Sequence, residues 1–463
     1  MKAMLATVSI AFLAVFTFST AEAGIIYVPI QYPTIQQGIN ASSPGDTVLV
    51  DNGYYTENIT ISNHALTLAS MFIMTGDTAA ISNTIVDGGN VTTTITIQPY
   101  DHFLVEVIGF TIINGLGTGN WPNVHGGAIH TGDSVFVNID HCYFHDNLTT
   151  GDSNRGAGIY INSSYSRISN CVFYDNESSF GPAIAVGNHT RETAIDSCEM
   201  YDNICTFTNP DNMSVISITY SYDITVSHCL IHHNNGTGVR NWGSYVTNIV
   251  NCTISGNGGY GIYNSYFNAD LYVQNTVVAH NSLMALFNNY VYNPVALCEY
   301  SDMVEATGMP WFGEGCIDAD PMFADTLLHD YSLLIGSPCI DSGDPDSPLD
   351  PDSTIADMGA IYHEQLTGIE TAPELPADFA LLANYPNPFN AATTIEYVLT
   401  EPAEIVISVY NTLGQRMETL HAGRSPAGKQ SLIWMAGEYP SGVYFARLEA
   451  AGTSRNLKMI LLK

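Results

Sequence analysis

A nine-residue pattern returns along the middle of the chain, and it restricts the possible folds more than any other feature. Its clearest copy reads ISNCVFYDN at 168–176. Successive cysteines of the pattern lie 29, 27, 31 and 23 residues apart, and Thr276 follows after 24 more. A fixed register at a period of about 20 to 50 residues indicates a repeat architecture. The other copies are IDHCYFHDN at 139–147, IDSCEMYDN at 195–203, VSHCLIHHN at 226–234, IVNCTISGN at 249–257 and VQNTVVAHN at 273–281.

A glycine-containing motif precedes each copy by about a dozen residues. The apolar runs in each unit are too short for an independent sheet, but stacked coils would give every run a partner above and below. The sequence therefore predicts an all-β fold, a right-handed parallel β-helix. An α-solenoid is disfavoured because the units lack a 3.6-residue period. The motif reads GGAIH at 126–130, GAGIY at 156–160, GPAIA at 181–185, GTGVR at 236–240 and GYGIY at 259–263.

The repeated cysteine is predicted to be structural. Cys171 and Phe173 are two residues apart and share one strand face, while Ile168 should lie beyond a bend. Buried cysteine behaves as a small hydrophobic residue. Zinc needs ligands from several directions and disulfides need a different geometry, so a parallel stack suits neither. The predicted interior column is Cys142, Cys171, Cys198, Cys229 and Cys252.

An asparagine ends each copy and predicts a second column just past the strand. An amide can donate to one coil and accept from the next while it caps the turn. This ladder is expected to be structural, without chemistry of its own. Its members are Asn147, Asn176, Asn203, Asn234, Asn257 and Asn281.

Four cysteines fall outside the register: Cys205, Cys298, Cys316 and Cys339. Nine cysteines is an odd number, so at least one thiol stays free. In an exported protein, Cys298–Cys316 and Cys316–Cys339 are the alternative bridges, and the sequence does not choose between them.

The start of the chain has the pattern of a signal peptide over 1–23. Lys2 precedes an apolar run at 4–18, and the cleavage-site sequence AEA follows at 21–23. No other apolar stretch approaches the roughly 20 residues that a spanning helix needs. The sequence therefore predicts an exported chain without a transmembrane helix.

Charge divides the rest of the chain in two. Residues 24–370 contain 36 acidic residues against four arginines and no lysine, whereas 371–463 contain eight acidic and seven basic residues. The change coincides with the proline-rich sequence TAPELPADF at 371–379, which is predicted to be a linker. So acidic a domain excludes binding to nucleic-acid phosphates. It also disfavours anionic polysaccharides unless a divalent cation bridges the two.

Residues 25–61, which begin IIYVPIQYPTIQQGIN, resemble the entry segment of pectin-lyase-like β-helix proteins. Gly53, Tyr55 and Glu57 match its G-x-Y-x-E positions. The resemblance implies a capping helix at 33–40, whose Ile35 and Ile39 close the apolar end of the solenoid. It specifies a fold and not an activity.

Residues 316–363 resemble the closing segment of many bacterial secreted β-helix proteins. Clustered carboxylates on its turn suit Ca²⁺, which prefers oxygen ligands, so calcium is the one cofactor expected. The alternative is a solvated acidic turn. The candidate ligands are Asp344, Asp346, Asp350 and Asp352, with Asp357 close by in sequence.

The last 84 residues, 380–463, resemble the C-terminal sorting domain of the type IX (Por) secretion system. The resemblance rests on NYPNPFN at 384–390, VYNTLGQ at 409–415, SGVYF at 441–445 and the terminal KMILLK. Alternating apolar residues predict a small Ig-like β-sandwich. The resemblance implies that the secretion machinery is a partner and that the chain reaches the cell surface or the extracellular space.

The residue that directly follows the β-branched residue of a glycine-containing motif should point away from the core. Four of these outward positions predict a sugar-binding surface. Aromatic faces with interspersed polar groups grip sugar chains, although tyrosine is also a common exposed strand residue. The candidates are His130, Tyr160, Arg240 and Tyr263.

Catalytic signals are weak by comparison. Asp146, Asp175 and Asp202 form an outward column that would offer a hydrolase its paired carboxylates, yet a repeat produces such columns anyway. No G-x-S-x-G or H-E-x-x-H motif occurs. The leading hypothesis is a non-catalytic surface protein for glycan contact or adhesion. A polysaccharide lyase or glycoside hydrolase with a divergent site and a structural surface component are the alternatives.

Overall fold

The computed structural model describes residues 23–365 and 379–462, with gaps at 63, 99–102, 119–125, 152–154, 163, 188, 208, 210, 268, 290–293, 307, 388, 400–401, 412–414 and 451–452. The chain divides into two compact units between residues 367 and 368. The predicted signal peptide lies outside the described residues up to residue 22, and so does the predicted linker up to residue 378. Across the described ranges, no helix is both long and apolar enough to cross a membrane.

In the first unit, short parallel strands recur once per coil and pair in register with those of the next coil. Ile139 pairs with Ile168, and Ile168 pairs with Ile195. Each complete coil visits three sheets in the order A, B, C, and some coils add a short strand of sheet D between B and C. Such stacking is a parallel β-helix, as the sequence predicted.

Sheet A consists of Ile25–Val28, Thr47–Val50, Leu66–Ser70, Leu104–Ile108, Phe136–Asp140, Ser164–Ser169, Arg191–Asp196, Tyr222–Ser227, Thr247–Val250, Asp270–Gln274 and Val295–Glu299. Sheet B consists of Gly53–Thr56, Thr84–Asp87, Thr111–Ile113, Tyr143–His145, Val172–Tyr174, Glu199–Tyr201, Leu230–His232, Thr253–Ser255, Val277–Ala279 and Asp302–Met303. Sheet C consists of Ile59–Ile61, Ile95–Ile97, Ile129–Thr131, Ile159–Ile161, Ile184–Val186, Ser214–Thr219, Thr237–Trp242, Ile262–Ser265 and Leu286–Asn288. Sheet D consists of Leu116–Gly117, Leu148–Thr149, Glu177–Ser178 and Ile204–Cys205.

A single residue makes the bend between sheets A and B. In the ISNCVFYDN copy this residue is Asn170, whose φ is 53°. Asparagine and histidine tolerate this left-handed conformation better than branched residues. The bend lets Ile168 and Cys171 both face the core, where each is fully buried.

The cysteines form a buried column in which each thiol reaches a backbone carbonyl of the preceding coil. Cys171 Sγ lies 3.8 Å from Ile139 O and 3.1 Å from Ser169 O. Thr276 makes the same two contacts through its hydroxyl, with Ile249 O at 3.4 Å and Gln274 O at 2.9 Å. Because an oxygen replaces sulfur without changing the pattern, the column requires a small donor and no redox chemistry.

All nine cysteines are free thiols. Neither bridge considered from the sequence is formed, whether Cys298–Cys316 or Cys316–Cys339. The sulfur of Cys339 instead lies 3.4 Å from the carboxylate of Asp302, to which it donates.

The asparagines form a continuous chain of amide hydrogen bonds. The side chain of Asn176 donates to Asn203 Oδ1 at 3.0 Å, and Asn203 donates to Asn234 Oδ1 at 3.0 Å. Each amide also donates to a carbonyl of the preceding coil, as Asn203 does to Phe173 O at 2.9 Å. A second ladder on sheet C, Asn241 to Asn264 to Asn288, has no repeated sequence pattern and went unpredicted.

A short helix, Ile35–Ala41, lies at the N-terminal end of the core. The hydroxyl of Thr34 caps it by accepting from Gln37 N, and Ile35 and Ile39 are buried in the main core. Its bounds differ by one or two residues from the predicted 33–40. Two further one-turn helices, Phe72–Thr75 and Ala79–Asn83, cover the side of the second and third coils.

The other end is closed by residues 304–365, which include the hairpin Phe323–Asp325 and Asp330–Leu333 and the 3₁₀ helix Thr326–Leu328. Beneath them, Asp302 is fully buried and accepts from Ala319 N at 3.1 Å. Burial raises the pKa of Asp302 to about 6.

Asp302 should make the β-helix more stable as pH falls from 7.5 to 5, by about 1 kcal/mol. Its folded pKa of about 6 lies above the ordinary 3.8, so the folded state takes up the proton first. The ionised carboxylate therefore destabilises the fold above pH 6, and this loss is relieved as pH falls through 6. Urea unfolding at both pH values should show a smaller pH effect for Asp302→Asn than for the natural chain. An equal pH effect in both proteins would assign the dependence to other groups.

The second unit is a small β-sandwich of antiparallel strands. One sheet consists of Phe379–Tyr385, Ala392–Leu399 and Gly428–Met435, and the other of Arg416–Ser425, Ala403–Asn411, Gly442–Ala450 and Thr453–Leu461. Trp434 from the first sheet is fully buried against Tyr444 and Met459 from the second.

Candidate functional site

The outer face of sheet B carries an aromatic side chain or a histidine at the same position in four consecutive coils. His145 pairs with Tyr174, Tyr174 with Tyr201, and Tyr201 with His232. Their rings stack with centroids 4.6, 5.3 and 5.5 Å apart and planes within 15° of parallel. The intervening residue of each strand, such as Phe173, points into the core, because side chains alternate along a strand.

An exposed aspartate follows each of the first three aromatic residues. Asp146, Asp175 and Asp202 have φ between 52° and 55°, which turns the chain immediately before the asparagine ladder. Aspartate tolerates this left-handed conformation better than most residues. We call the resulting surface the Tyr–Asp strip; it comprises His145, Asp146, Tyr174, Asp175, Tyr201 and Asp202.

The strip combines hydroxyl donors with carboxylate acceptors. Burial, with Glu199 and Tyr174 adding to it, raises the pKa of Tyr201 to about 12, so its hydroxyl keeps its proton at neutral pH. Burial and the charges of Asp146 and Asp202 raise the pKa of Asp175. Since the ring faces are occupied by their neighbours, the strip presents ring edges and polar groups outward.

A histidine cluster ends the strip. His232 is fully buried beneath the closing segment, which brings His329 and Tyr331 against it with ring centroids 4.7 and 4.8 Å away. His232 Nε2 lies 3.1 Å from Glu199 Oε1. Burial and the neighbouring His232 and His329 lower the pKa of His233, which favours its neutral form.

Sequence reasoning did not select these histidines. The only signal was VSHCLIHHN, where His233 replaces the aspartate of the three preceding copies. His329 gave no signal, because it lies outside the repeat and reaches the site only through the fold.

The predicted sugar-binding residues do form one column on sheet C. His130 pairs with Tyr160, and Arg240 pairs with Tyr263. Tyr160, Arg240 and Tyr263 face away from the core, yet they are only 4%, 5% and 2% exposed.

Side chains and loops cover this column. Arg240 Nε donates to Asp211 O at 3.0 Å, and the Arg240 guanidinium lies 4.2 Å from the Trp242 ring centre. Phe287 stacks on Tyr263 at 5.4 Å. Burial lowers the pKa of Arg240 to about 10, so it stays charged at neutral pH. The column therefore offers little surface to a polysaccharide, contrary to the exposed face that the alternation suggested.

Three of the four predicted calcium ligands accept hydrogen bonds from nearby backbone and side-chain groups through their carboxylates. Asp344 accepts from Gln274 Nε2 at 2.6 Å, Asp350 from Asp357 N at 2.8 Å and Asp352 from Gln365 N at 2.7 Å. Asp346 donates its own backbone N–H to Asp344. Among the described residues these carboxylates do not converge on one point as the histidines do. Calcium binding here stays a prediction.

Two family models match the chain. One, described as a right handed beta helix region, matches residues 157–295, and the other, a secretion system C-terminal sorting domain, matches 383–462. This is a secreted β-helix protein. Its sorting domain directs the β-helix protein through the type IX secretion system to the cell surface or extracellular space.

Solved structures similar to this β-helix protein include a pectin methylesterase from Erwinia chrysanthemi, with 13% identity, coverage of 60% of this chain and 94% of that chain, and a TM-score of 0.29. ORF18 of Geobacillus virus E2 has 13% identity, coverage of 91% and 82%, and a TM-score of 0.35. A PL6 family alginate lyase has 12% identity, coverage of 80% and 61%, and a TM-score of 0.22. No curated protein matches the chain. At these scores the similarities carry no argument about activity.

Proposed function

We propose that this protein is a non-catalytic surface protein that contacts hydroxyl-rich, uncharged glycans through the Tyr–Asp strip. The observation that carries the proposal is the set of two tyrosine hydroxyls and three exposed carboxylates in three successive coils of sheet B. Tyrosine hydroxyls donate and accept hydrogen bonds, and carboxylates accept strongly from sugar hydroxyls.

The spacing of the strip supports an extended ligand. Neighbouring strands in a sheet lie about 4.8 Å apart, so equivalent groups recur at that interval along the helix axis. This interval is of the same scale as one sugar unit in an extended polysaccharide. A linear glycan lying along the axis would therefore meet a carboxylate at three successive units and a tyrosine hydroxyl at two of them.

Charge selects the class of glycan. The solenoid contains 36 acidic residues and only four arginines, and three of these acidic residues are the exposed aspartates of the strip. Polysaccharides rich in uronic acid or sulfate would be repelled, whereas neutral chains would not.

A glycoside hydrolase is the second candidate, because Asp175 lies between two other carboxylates and has a raised pKa. Glycosidases use such a pair, one carboxyl protonated and one ionised. A lyase has less support. It would need a base such as arginine to abstract a proton, and Arg240 is buried on sheet C rather than exposed on the strip. A purely structural surface component is the third candidate and would bind no glycan.

The test is a glycan array and a depolymerisation screen on the mature chain, with and without calcium. Binding to neutral glycans without new reducing ends supports the proposal. New reducing ends that disappear in Asp175→Asn would replace it with a hydrolase, and unsaturated products would indicate a lyase. No glycan binding and no products would support the third candidate, a purely structural surface component.

Tyr201→Phe should weaken binding to the best neutral glycan about 3- to 10-fold, because one net hydrogen bond contributes about 1 kcal/mol. The ring stack with Tyr174 is kept, so the fold should be unchanged. Tyr222→Phe is the matched control, since Tyr222 lies on sheet A and its ring stacks on that of Tyr245. Isothermal titration calorimetry measures the glycan affinity of both variants. Equal losses of affinity in the two would show that the strip is not part of the binding site.

A further inference from the structure

Three imidazoles from two distant parts of the chain meet beside the end of the Tyr–Asp strip. His232 ends the sheet B strand Leu230–His232, and His233 follows it directly. His329 follows the 3₁₀ helix of the closing segment. One ligand nitrogen of each lies within 4.8 Å of the others. In the described part of the chain, no other three histidine, cysteine or acidic side chains converge in this way.

Two ring nitrogens of neighbouring histidines, His232 Nδ1 and His233 Nδ1, face each other at a short distance. His232 Nε2 lies 3.1 Å from Glu199 Oε1, which fixes the proton on Nε2 in a neutral ring and leaves the Nδ1 lone pair. Tyr331 Oη also lies 3.2 Å from His233 Nδ1. His232 Nδ1 and His233 Nδ1 are only 3.0 Å apart. Two such lone pairs repel unless a proton or a cation lies between them.

We propose that His232, His233 and His329 bind a divalent transition-metal ion of the zinc class. Two nitrogens bound to one tetrahedral zinc at about 2.0 to 2.1 Å would lie about 3.3 Å apart. This is close to the 3.0 Å between His232 Nδ1 and His233 Nδ1. Imidazole nitrogen suits zinc, copper or nickel, whereas calcium and magnesium prefer oxygen. Glu199 then takes the usual outer position, a carboxylate that accepts the other ring N–H of a ligating histidine.

Such an ion would fasten the closing segment to the solenoid. Tyr331 and His233 are separated by 98 residues in sequence, and His329 comes from the same closing segment as Tyr331. Metal binding to a site formed only in the folded state stabilises that state. The proposal does not depend on glycan binding, although the Tyr201 ring of the strip contacts both His232 and His329.

The test uses the mature full chain purified without a histidine tag and stripped with EDTA. Titration with zinc by calorimetry should give one site per chain, and cobalt(II) should give the absorption bands of a nitrogen-bound tetrahedral ion. His329→Gln should weaken zinc binding at least about 10-fold, because it removes one of three ligands. His280→Gln is the matched control, since His280 is exposed and occupies the same left-handed position as His233 two coils further on.

A second variant tests metal binding without changing any residue of the closing segment. Glu199→Gln leaves all three histidines in place and should weaken zinc binding more mildly, while circular dichroism should match that of the natural chain. Absence of zinc binding in the natural chain, undiminished binding in His329→Gln, or an equal loss in His280→Gln would each overturn the proposal.

Discussion

Asn203→Ala should lower the free energy of unfolding of the β-helix by about 3 to 5 kcal/mol. Asn203 is 1% exposed and lies in the middle of the asparagine ladder. Its side chain donates to Phe173 O, Tyr201 O and Asn234 Oδ1 at 2.9 to 3.0 Å. Its Oδ1 accepts from the backbone and side-chain nitrogens of Asn176. Alanine would leave several of these buried groups without partners, each at a cost of about 1 to 3 kcal/mol.

Urea unfolding followed by circular dichroism measures this loss. Asn40→Ala is the control, because Asn40 is exposed on the capping helix and accepts one hydrogen bond from Gln36. Its effect should stay within about 0.5 kcal/mol. A loss below about 1 kcal/mol for Asn203→Ala would mean that the ladder contributes little to the stability of the fold.

Gly156→Ala should destabilise the β-helix by about 3 to 4 kcal/mol, because two costs add. Gly156 opens the GAGIY motif with φ at 69°, a conformation that costs an L-residue about 1 to 2 kcal/mol. A Cβ there would also lie 2.3 Å from Ile159 O, a backbone atom. The coil must shift to relieve this contact, at a further cost of about 1 to 3 kcal/mol.

Gly76→Ala separates the two costs. Gly76 has φ at 66°, but a Cβ there would meet no atom within 4 Å. It should therefore lose only the conformational term of about 1 to 2 kcal/mol. Equal losses for the two variants in urea unfolding would show that the close approach to Ile159 has no cost of its own.

Features that belong to one coil could be predicted, because the repeat applies them to every coil. The interval between copies indicated stacking, and the two-residue spacing of Cys171 and Phe173 indicated a shared inward face. The aspartates before the first three ladder asparagines were expected to lie outward, and Asp146, Asp175 and Asp202 do lie there. These properties depend on strand alternation and backbone conformation, which neighbouring residues decide.

Burial of an outward face could not be predicted in the same way. Tyr160 and Tyr263 follow the motif correctly and point away from the core, but other parts of the chain cover them. The carbonyl of Asp211, which accepts from Arg240, belongs to a loop of the preceding coil. Alternation sets the direction of a side chain and says nothing about what lies beyond it.

By itself the sequence determined the solenoid, its cysteine and asparagine columns, the outward aspartates and the sorting domain, because each of these follows from residues close together or repeated in register. Only the tertiary structure decided which outward column stays open and which histidines meet. His233 and His329 come together because the closing segment folds back over sheet B, and that contact depends on the packing of surfaces that lie far apart in the chain.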